Sequence, residues 1–590
     1  MEAADGENAL LLHLQPTPPV LFVFSYSAVV LSDAYSVVAS EYASDGSVDI
    51  NKQPALKKST GNWRACYPIL GVGFSECMLF SAIATNLVTL LTTVLHESKV
   101  DAARNISSWA GVCYLTPLLG AFVADSYLGR YWTMVVFLPF YIVAMLVLIS
   151  SASLPMLFQS DVHPALVYLG LYLAAIASGG VKPCISAFGA DQFDVNDPVE
   201  LVKKGSFFNW YFFLTTTSSL LSGTVIVWLQ DNVGWAVSYV IPTVLMFICF
   251  PAFLAGSRVY RFRKMGVSPL TSILQVVFAA VRKWHIKLPD DSSLLYEQAN
   301  SPSTTEASHK NKHTNQFRFF DKAAIVVPSG NESTAQTSPW RLCTVTQVEE
   351  LKMLLSTLPT WASFVVFYAV TAQMQSTMIE QGMLMDNHVG SFAIPPASMP
   401  IIAVLSFLIC VAVYETILVP SARRFTGNEK GFSQWQRLGI GQALSILTMA
   451  LAALLETRRL AIAEANGLRH QEVPVPMSIL WQGPVFFVHG AAEMFGSIGM
   501  TEFFYDQAPV TMKSLCAAFG QLAIASGSYF NSAVLSVVAF ATTRGSQTGW
   551  IPDNLNEGHL DYFFWMMAAL SLLNLALFVR YSMRHRGKVT

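Results

Sequence analysis

The chain has 590 residues, of which 53% are hydrophobic, 12% aromatic and only 13% charged. Soluble domains carry roughly a quarter charged residues, because their surface faces water. A long chain this poor in charge has lipid as its main solvent, and its formal net charge of −2 gives no basis for binding nucleic acid. Eight cysteines are scattered singly, several in apolar runs (Cys113, Cys184, Cys249, Cys410, Cys516). Without a CxxC or a Cys/His cluster, neither a disulfide framework nor a metal site is supported.

Residues 1–60 differ from the rest. The run from Val20 to Ser32 is too short to span a bilayer, meets Asp33 at once, and has no basic stretch before it of the secretory kind. This region is expected to be a mostly disordered extension. Spanning segments then follow near 66–95, 106–124, 131–154, 164–188, 206–229 and 234–256. A second set lies near 350–375, 397–419, 434–456, 474–498, 512–541 and 561–583. Backbone groups in lipid must pair within their own element, so these spans are helices. The prediction is an all-α membrane protein with twelve transmembrane helices in two six-helix bundles, 61–256 and 346–590 with a short tail. A loop at 257–345 joins them, and a central site lies between the bundles.

Lys and Arg set the orientation. The central loop carries Arg258, Arg261, Arg263, Lys264, Arg282, Lys283 and others; Arg423 and Arg424 follow span 8, and Arg584 and Arg586 sit in the tail. By the positive-inside rule these segments and both termini face the cytoplasm, with Arg458, Arg459 and Arg469 after span 9 as an exception. Within the loop, Ser268-Pro269 opens a short helix. Its Leu270, Ile273, Leu274, Val277, Phe278 and Val281 recur at helical spacing, which predicts an interfacial helix. Residues 288–316 are polar enough to be disordered.

The connection between spans 2 and 3 reads GAFVADSYLGRYWT, with Asp125, Gly129 and Arg130. Glycine permits a tight turn there, while a carboxylate and a guanidinium can lock helix ends by a charge-assisted pair. An echo, YETILVPSARRFTG, follows span 8 with Glu415, Arg423 and Arg424. The first loop resembles the signature of the major facilitator superfamily. NLVTLLTTVLHE, GGVKPCISAFGADQFD, FFNWYFF, TEFFYDQAP and NLNEGHLDYFFWMMAALSLLN resemble the plant nitrate/peptide transporter family, a branch of the proton-dependent oligopeptide transporters. The resemblance runs from about Gly61 to the end of span 12. It implies two six-helix bundles alternating access around a central cavity, and small anionic or zwitterionic solutes such as nitrate, peptides or hormones.

Charges inside the membrane cost roughly 2.5–3.5 kcal/mol at a helix centre, so each needs a reason. Three stand out: Glu76 on span 1, Lys182 on span 4 and Glu493 on span 10. The resembled family carries a Glu-x-x-Glu-Arg motif on span 1, tied to proton coupling. Gly73, Glu76 and Cys77 match it here, so only the second glutamate survives. Glu76 and Lys182 still sum to zero and can form a proton-sensitive pair, or a purely structural salt bridge. Glu493 is either a second protonation site, a group that repels anions, or a carboxylate bonded to a neighbouring hydroxyl. Glu380, near the outer end of span 7, is expected to be solvated, and Glu502 to be structural.

Substrate clues are thinner. Phe80, Ser81 and Ala82 stand where peptide-carrying relatives have Tyr-Tyr-Gly, and Cys77 removes a basic anchor for a carboxylate. Thr371 stands where one nitrate-carrying type has a histidine. Cys77, Thr371, Trp210 and Tyr211 are the cavity candidates, with packing or lipid-facing roles open for the two aromatics. Thr133, in Arg-x-x-Thr, is either a kinase-type site or a helix cap. Asn105-Ile106-Ser107 is a sequon beside span 2, and Asn331-Glu332-Ser333 is a second one on the cytoplasmic side.

Three function classes follow. The first is a secondary active transporter with no cofactor, driven by the proton gradient, lying in the plasma membrane or an intracellular membrane. Its partners are a small solute, protons and lipid. The second is a transport-impaired sensor that keeps the fold. An enzyme is the third, and no HExxH, GxSxG or Walker sequence supports it.

Overall fold

The computed structural model describes residues 41–158, 164–194, 196–263, 269–288, 295–297, 313–326, 338–426, 432–500, 503–504, 513–543 and 549–586. The apolar run at 20–32, Asn331, Glu502 and most of 288–316 fall outside them. Among the described residues, eleven helices are long and apolar enough to cross a membrane.

The first half holds α1 (Asn62–Ala84), α2 (Lys99–Val123), α3 (Arg130–Phe158), α4 (Pro164–Ala190), α5 (Pro198–Leu221) and α6 (Trp235–Ala255). The linker contributes α7 (Pro269–Arg282). The second half holds α8 (Val345–Met374), α9 (Thr377–Met383), α10 (Ile401–Val413), α11 (Val419–Thr426), α12 (Gln434–Ala465), α13 (Gly483–Glu493), α14 (Lys513–Thr542) and α15 (Leu560–Arg586). Twelve spans were predicted, and the difference falls on 474–498. Its first residues, Val475–Ser478, instead pair as a strand with Met385–Asp386, so α13 starts only at Gly483.

Each half has its own apolar core. Leu138, Tyr141, Met145, Phe188 and Phe253 belong to the first; Met449, Phe486, Phe563 and Met567 belong to the second. Small residues set the closest helix crossing: a Cβ on Gly120 of α2 would lie 2.1 Å from the Gly179 carbonyl oxygen of α4. The repeat suspected between the two loops has a backbone counterpart. A π turn at Ala124–Leu128 ends α2, and another at Tyr414–Leu418 ends α10.

Residues 41–60 depart from the expected disorder. They form a strap across the linker end of the first half, with bridges Tyr42 to Leu56, Val48 to Pro54 and Val48 to Phe262. The Ser44 amide and hydroxyl both donate to Asp194 Oδ2 at 2.7 Å, and Lys57 Nζ lies 2.9 Å from Asp197 and 3.4 Å from Asp194. Polar partners thus replace the apolar run that a sequence reading looks for. Burial works to lower the Lys57 pKa, but the Asp197 hydrogen bond and the two carboxylate charges raise it overall. The Lys57 hydrogen bond holds Asp197 below its usual range. Burial opposes the same shift at Asp194, where the Ser44 donors prevail. A raised base stabilises docking below its ordinary pKa, and a lowered acid does so above its own. The strap is therefore expected to resist proteolysis evenly across neutral pH. It should loosen only as pH falls below 3.8 or rises above 10.5, the ordinary values of these groups; loosening between pH 5 and 9 would contradict this.

The linker helix is also only partly free. Val276, Ala279 and Ala280 of α7 pack against Ala323, Ala324, Val348 and Leu351, while Leu274, Phe278 and Val281 are exposed. At the base of α8, buried Lys352 reaches Asp321 at 2.6 Å and Glu349 at 2.8 Å, pinning the linker to that helix. Two of the three arginines counted as the exception, Arg458 and Arg459, lie inside α12, and Arg458 is exposed there. α12 runs on to Ala465, so Arg459 lies inside a helix, fully buried, with Glu456 at 2.6 Å, and does not count as a loop charge. Arg469 faces Glu464 at 3.8 Å.

Candidate functional site

Glu76 and Lys182 come together. Their spacing on α1 and α4 turns both toward the same face of the first half, where Lys182 Nζ lies 4.0 Å from Glu76 Oε1. Each has further support. The Ser178 hydroxyl donates to Glu76 Oε1 at 2.8 Å, and Lys182 Nζ sits 3.1 Å above the Phe80 ring and 5.9 Å from Tyr114. Glu76 is 3% exposed, whereas the Lys182 side chain is 27% exposed. Gly73, at the place of the lost first glutamate, leaves a gap that Tyr211 fills. A Cβ there would lie 3.3 Å from the Tyr211 ring and 3.2 Å from Ile185.

A small cavity lies in the seam between the halves. Ser107 and Tyr114 of α2, Tyr368, Thr371 and Gln375 of α8 or its end, and Ser528 of α14 line it. It encloses about 30 Å³, enough for water but not for a solute. Its lining has no formal charge and several hydroxyls. Thr371 Oγ1 is buried without a hydrogen-bond partner. Of the other cavity candidates, Cys77 is turned to α5, with Sγ 3.3 Å from the Thr215 carbonyl and from Ser219 Oγ. Trp210 is exposed on α5, and neither it nor Tyr211 lines this cavity.

The acidic side of the seam comes from α13. Glu493 stands four residues before Ser497, whose hydroxyl is 3.2 Å from the Tyr368 hydroxyl. His489, one turn before it, places Nε2 3.6 Å from Glu493 Oε1. The sequence reading missed this histidine, although its i,i+4 spacing to a membrane glutamate was a usable signal.

Glu380 corrects an expectation. It is fully buried on α9, and both carboxylate oxygens lack a hydrogen-bond partner. Its helix is followed at once by the strand pair of Met385–Asp386 with Val475–Ser478. Beside it, Gln381 donates to Glu456 at 2.7 Å, tying α9 to the buried Glu456–Arg459 pair.

At the end opposite the linker the halves are fastened together. Lys99 Nζ lies 2.8 Å from Glu472 and also donates to the Asp553 carbonyl. Asn531 of α14 donates to Ser107 of α2 at 3.0 Å and accepts from Gln373 of α8. At the linker end, Arg130 pairs with Asp191 at 2.5 Å and with Asp125 at 3.6 Å. Gly129 takes φ +81°, a conformation suited to glycine. Asp191 was not foreseen, because its approach depends on how α4 ends beside α3. Arg423 and Arg424 are exposed on α11, and the Glu415 side chain lies outside the described residues. Thr133 is fully buried with its hydroxyl donating to the Gly129 carbonyl at 2.9 Å, which removes it from a kinase's reach here. Asn105 lies inside α2, its amide donating to Glu97 and Tyr168, so this sequon is structurally occupied.

Residues 131–551 match the POT family profile. The chain belongs to the POT family. It is 48% identical over 558 residues to the protein NRT1/PTR family 8.3 of Arabidopsis thaliana, covering 93% of this chain and 95% of that one. It is 46% identical to NRT1/PTR family 8.1 of the same plant, covering 93% and 98%. Among solved structures it is similar to the POT family transporter PepTSo, with TM-score 0.67, 20% identity and coverage of 89% and 99%. A POT family transporter in complex with 5-aminolevulinic acid gives TM-score 0.61, 13% identity and coverage of 90% and 99%. The major facilitator fold is thereby established, and the chain is a multi-pass membrane transporter rather than an enzyme.

Proposed function

We propose that this transporter carries a small zwitterionic or anionic nitrogen compound together with protons, loading it in the seam cavity and alternating access between the halves. The observation that carries this reading is a polarity across the seam: Lys182 lies 5.9 Å from the Tyr114 ring on one side, and on the other Glu493 stands four residues before Ser497, whose hydroxyl is 3.2 Å from that of Tyr368. A solute with separated amino and carboxyl groups matches that order. The two phenols supply hydrogen bonds where Phe80 cannot and where the Ser81 hydroxyl is turned to Ser219, which favours amino-acid and peptide-like solutes. Similar folds bind 5-aminolevulinic acid and a thioalcohol-conjugated peptide, which supports solutes of this size.

Protons bind at Glu76, Glu493 and Glu380 in this reading. The linker end and both termini face the cytoplasm, in the plasma membrane or an intracellular membrane. No cofactor takes part; the proton gradient drives the cycle. Uptake of a labelled dipeptide, 5-aminolevulinic acid and nitrate into proteoliposomes tests it, with and without an inward proton gradient. Gradient-stimulated uptake of at least one solute is expected. Binding of a solute without any uptake would replace transport by sensing.

Glu380 gives a separate prediction. Glu380→Gln keeps the side-chain shape and replaces a buried carboxyl group whose two oxygens have no hydrogen-bond partner, so thermal stability should be unchanged or higher. Gradient-driven uptake should fall about tenfold or more while counterflow exchange persists, a difference of about 1.4 kcal/mol in the driven step. Normal driven uptake would remove Glu380 from the coupling path.

A further inference from the structure

We propose that His489 is the proton-carrying partner of Glu493, and that its imidazolium competes with the cationic group of the solute for the Glu493 carboxylate. The inference rests on the reading of Glu493 as part of the solute site, and it adds a second residue to that site.

The geometry of α13 puts both groups on the seam. Gln482 donates to the Met378 carbonyl at 2.8 Å, and Ser497 lies 3.2 Å from the Tyr368 hydroxyl. Gln482 ends a 3-10 turn just before α13 and Ser497 lies in the π turn just after it, so His489 and Glu493 fall between a contact with α9 and a contact with α8. His489 is 4% exposed, Nε2 is 3.6 Å from the carboxylate, and Nδ1 is buried with no hydrogen-bond partner. A buried ring with one nitrogen beside a carboxylate and the other unbonded has no evident packing purpose, because an apolar side chain would fill the same space without stranding a polar atom. Thr371 Oγ1, on the facing helix between the same anchors, is stranded too.

The remaining titratable or charged groups around α13 do not neutralise Glu493. From α8 comes the Tyr368 hydroxyl, from α9 Glu380, from α2 Tyr114, and from α10 only Cys410. On α12, Arg437 lies over the Tyr414 ring toward the linker end, while Arg459 is committed to Glu456 at the other. His489 is thus the described base closest to the carboxylate.

The chemistry is a simple exchange. Neutral imidazole takes a proton from water at Nε2 and presents the N–H to Glu493 Oε1, so the pair becomes neutral overall. A solute ammonium arriving at Glu493 displaces that imidazolium, which returns its proton to water. By linkage each weakens the other by the same factor. An anionic solute gains instead, because the protonated histidine cancels the repulsion of Glu493. Histidine ordinarily titrates between pH 5 and 8, where such an exchange can operate.

The test begins with the His489→Gln, Glu493→Gln double-mutant cycle on thermal stability of the full chain, which needs no solute. A favourable coupling at pH 5.5 that fades by pH 7.5 is expected, and a coupling independent of pH overturns the proposal. His489→Phe serves as the second variant if His489→Gln does not fold. In proteoliposomes, KM for a dipeptide should rise about fivefold or more from pH 7.5 to 5.5, and KM for nitrate should move the other way. Both trends should vanish in His489→Gln. If Glu493→Gln raises KM but His489→Gln keeps the wild-type pH profile, this inference alone fails. If Glu493→Gln changes neither KM nor kcat, the reading of the solute site fails first.

Discussion

Lys182→Met is expected to cost the transporter far more than Glu76→Gln, although both remove one half of the same pair. The structure makes the two sides unequal. Deleting Lys182 strands Glu76, which is 3% exposed and keeps only the Ser178 hydroxyl at 2.8 Å. Losing one partner of a buried pair typically costs about 3–5 kcal/mol, and this variant falls in that range. Deleting the charge of Glu76 leaves Lys182 with 27% of its side chain exposed and its ammonium over the Phe80 ring, so about 1 kcal/mol is expected. The double variant should recover most of the stability, because no charge is stranded, yet lose the pH dependence of uptake. A double-mutant cycle read on thermal midpoint and on gradient-driven uptake separates the roles. Equal single losses that simply add would mean that the residues do not interact. Recovery with pH dependence intact would leave a structural bridge and shift proton binding to Glu493 and Glu380.

Arg261→Met should be the most destabilising single change at the linker end, by roughly 3–5 kcal/mol, without touching the solute site. Arg261 counted in the sequence as one of many basic loop residues. In the fold it is fully buried, 2.6 Å from Glu200, and donates to the Thr60 carbonyl at 2.9 Å. It therefore joins the strap, the start of α5 and the segment after α6. Glu200 also accepts from the Asp194 amide at 2.6 Å, so the hub extends to the partner of Ser44. Gly61 leaves room for the guanidinium: a Cβ there would lie 2.4 Å from Arg261 Nε, and its φ is +72°. The measurements are the thermal midpoint in detergent and proteolysis of residues 41–60. A wild-type midpoint with an intact strap would show that the ion pair is dispensable. Glu200→Gln should share most of the loss, since it strands the arginine instead.

The sequence by itself determined most of the crossing helices, because lipid imposes a long apolar run on each, while motifs such as GGVKPCISAFGADQFD carried the resemblance to the family. It also singled out Glu76, Lys182 and Glu493, since a charge in such a run is rare enough to notice. What it could not decide was what each polar group meets. Glu380 looked solvated because it lies near a helix end; in the fold it is fully buried, on a helix followed by the pairing of Met385–Asp386 with Val475–Ser478 from far along the chain. Arg459 looked like a loop charge until α12 extended past it to its partner Glu456. The strap was illegible for a related reason: Ser44, Asp194 and Lys57 are ordinary surface residues until distant segments bring donor and acceptor together. Apolar burial follows local composition and can be read along the chain. Pairing of polar groups depends on contacts between remote segments, and the tertiary structure alone supplies those.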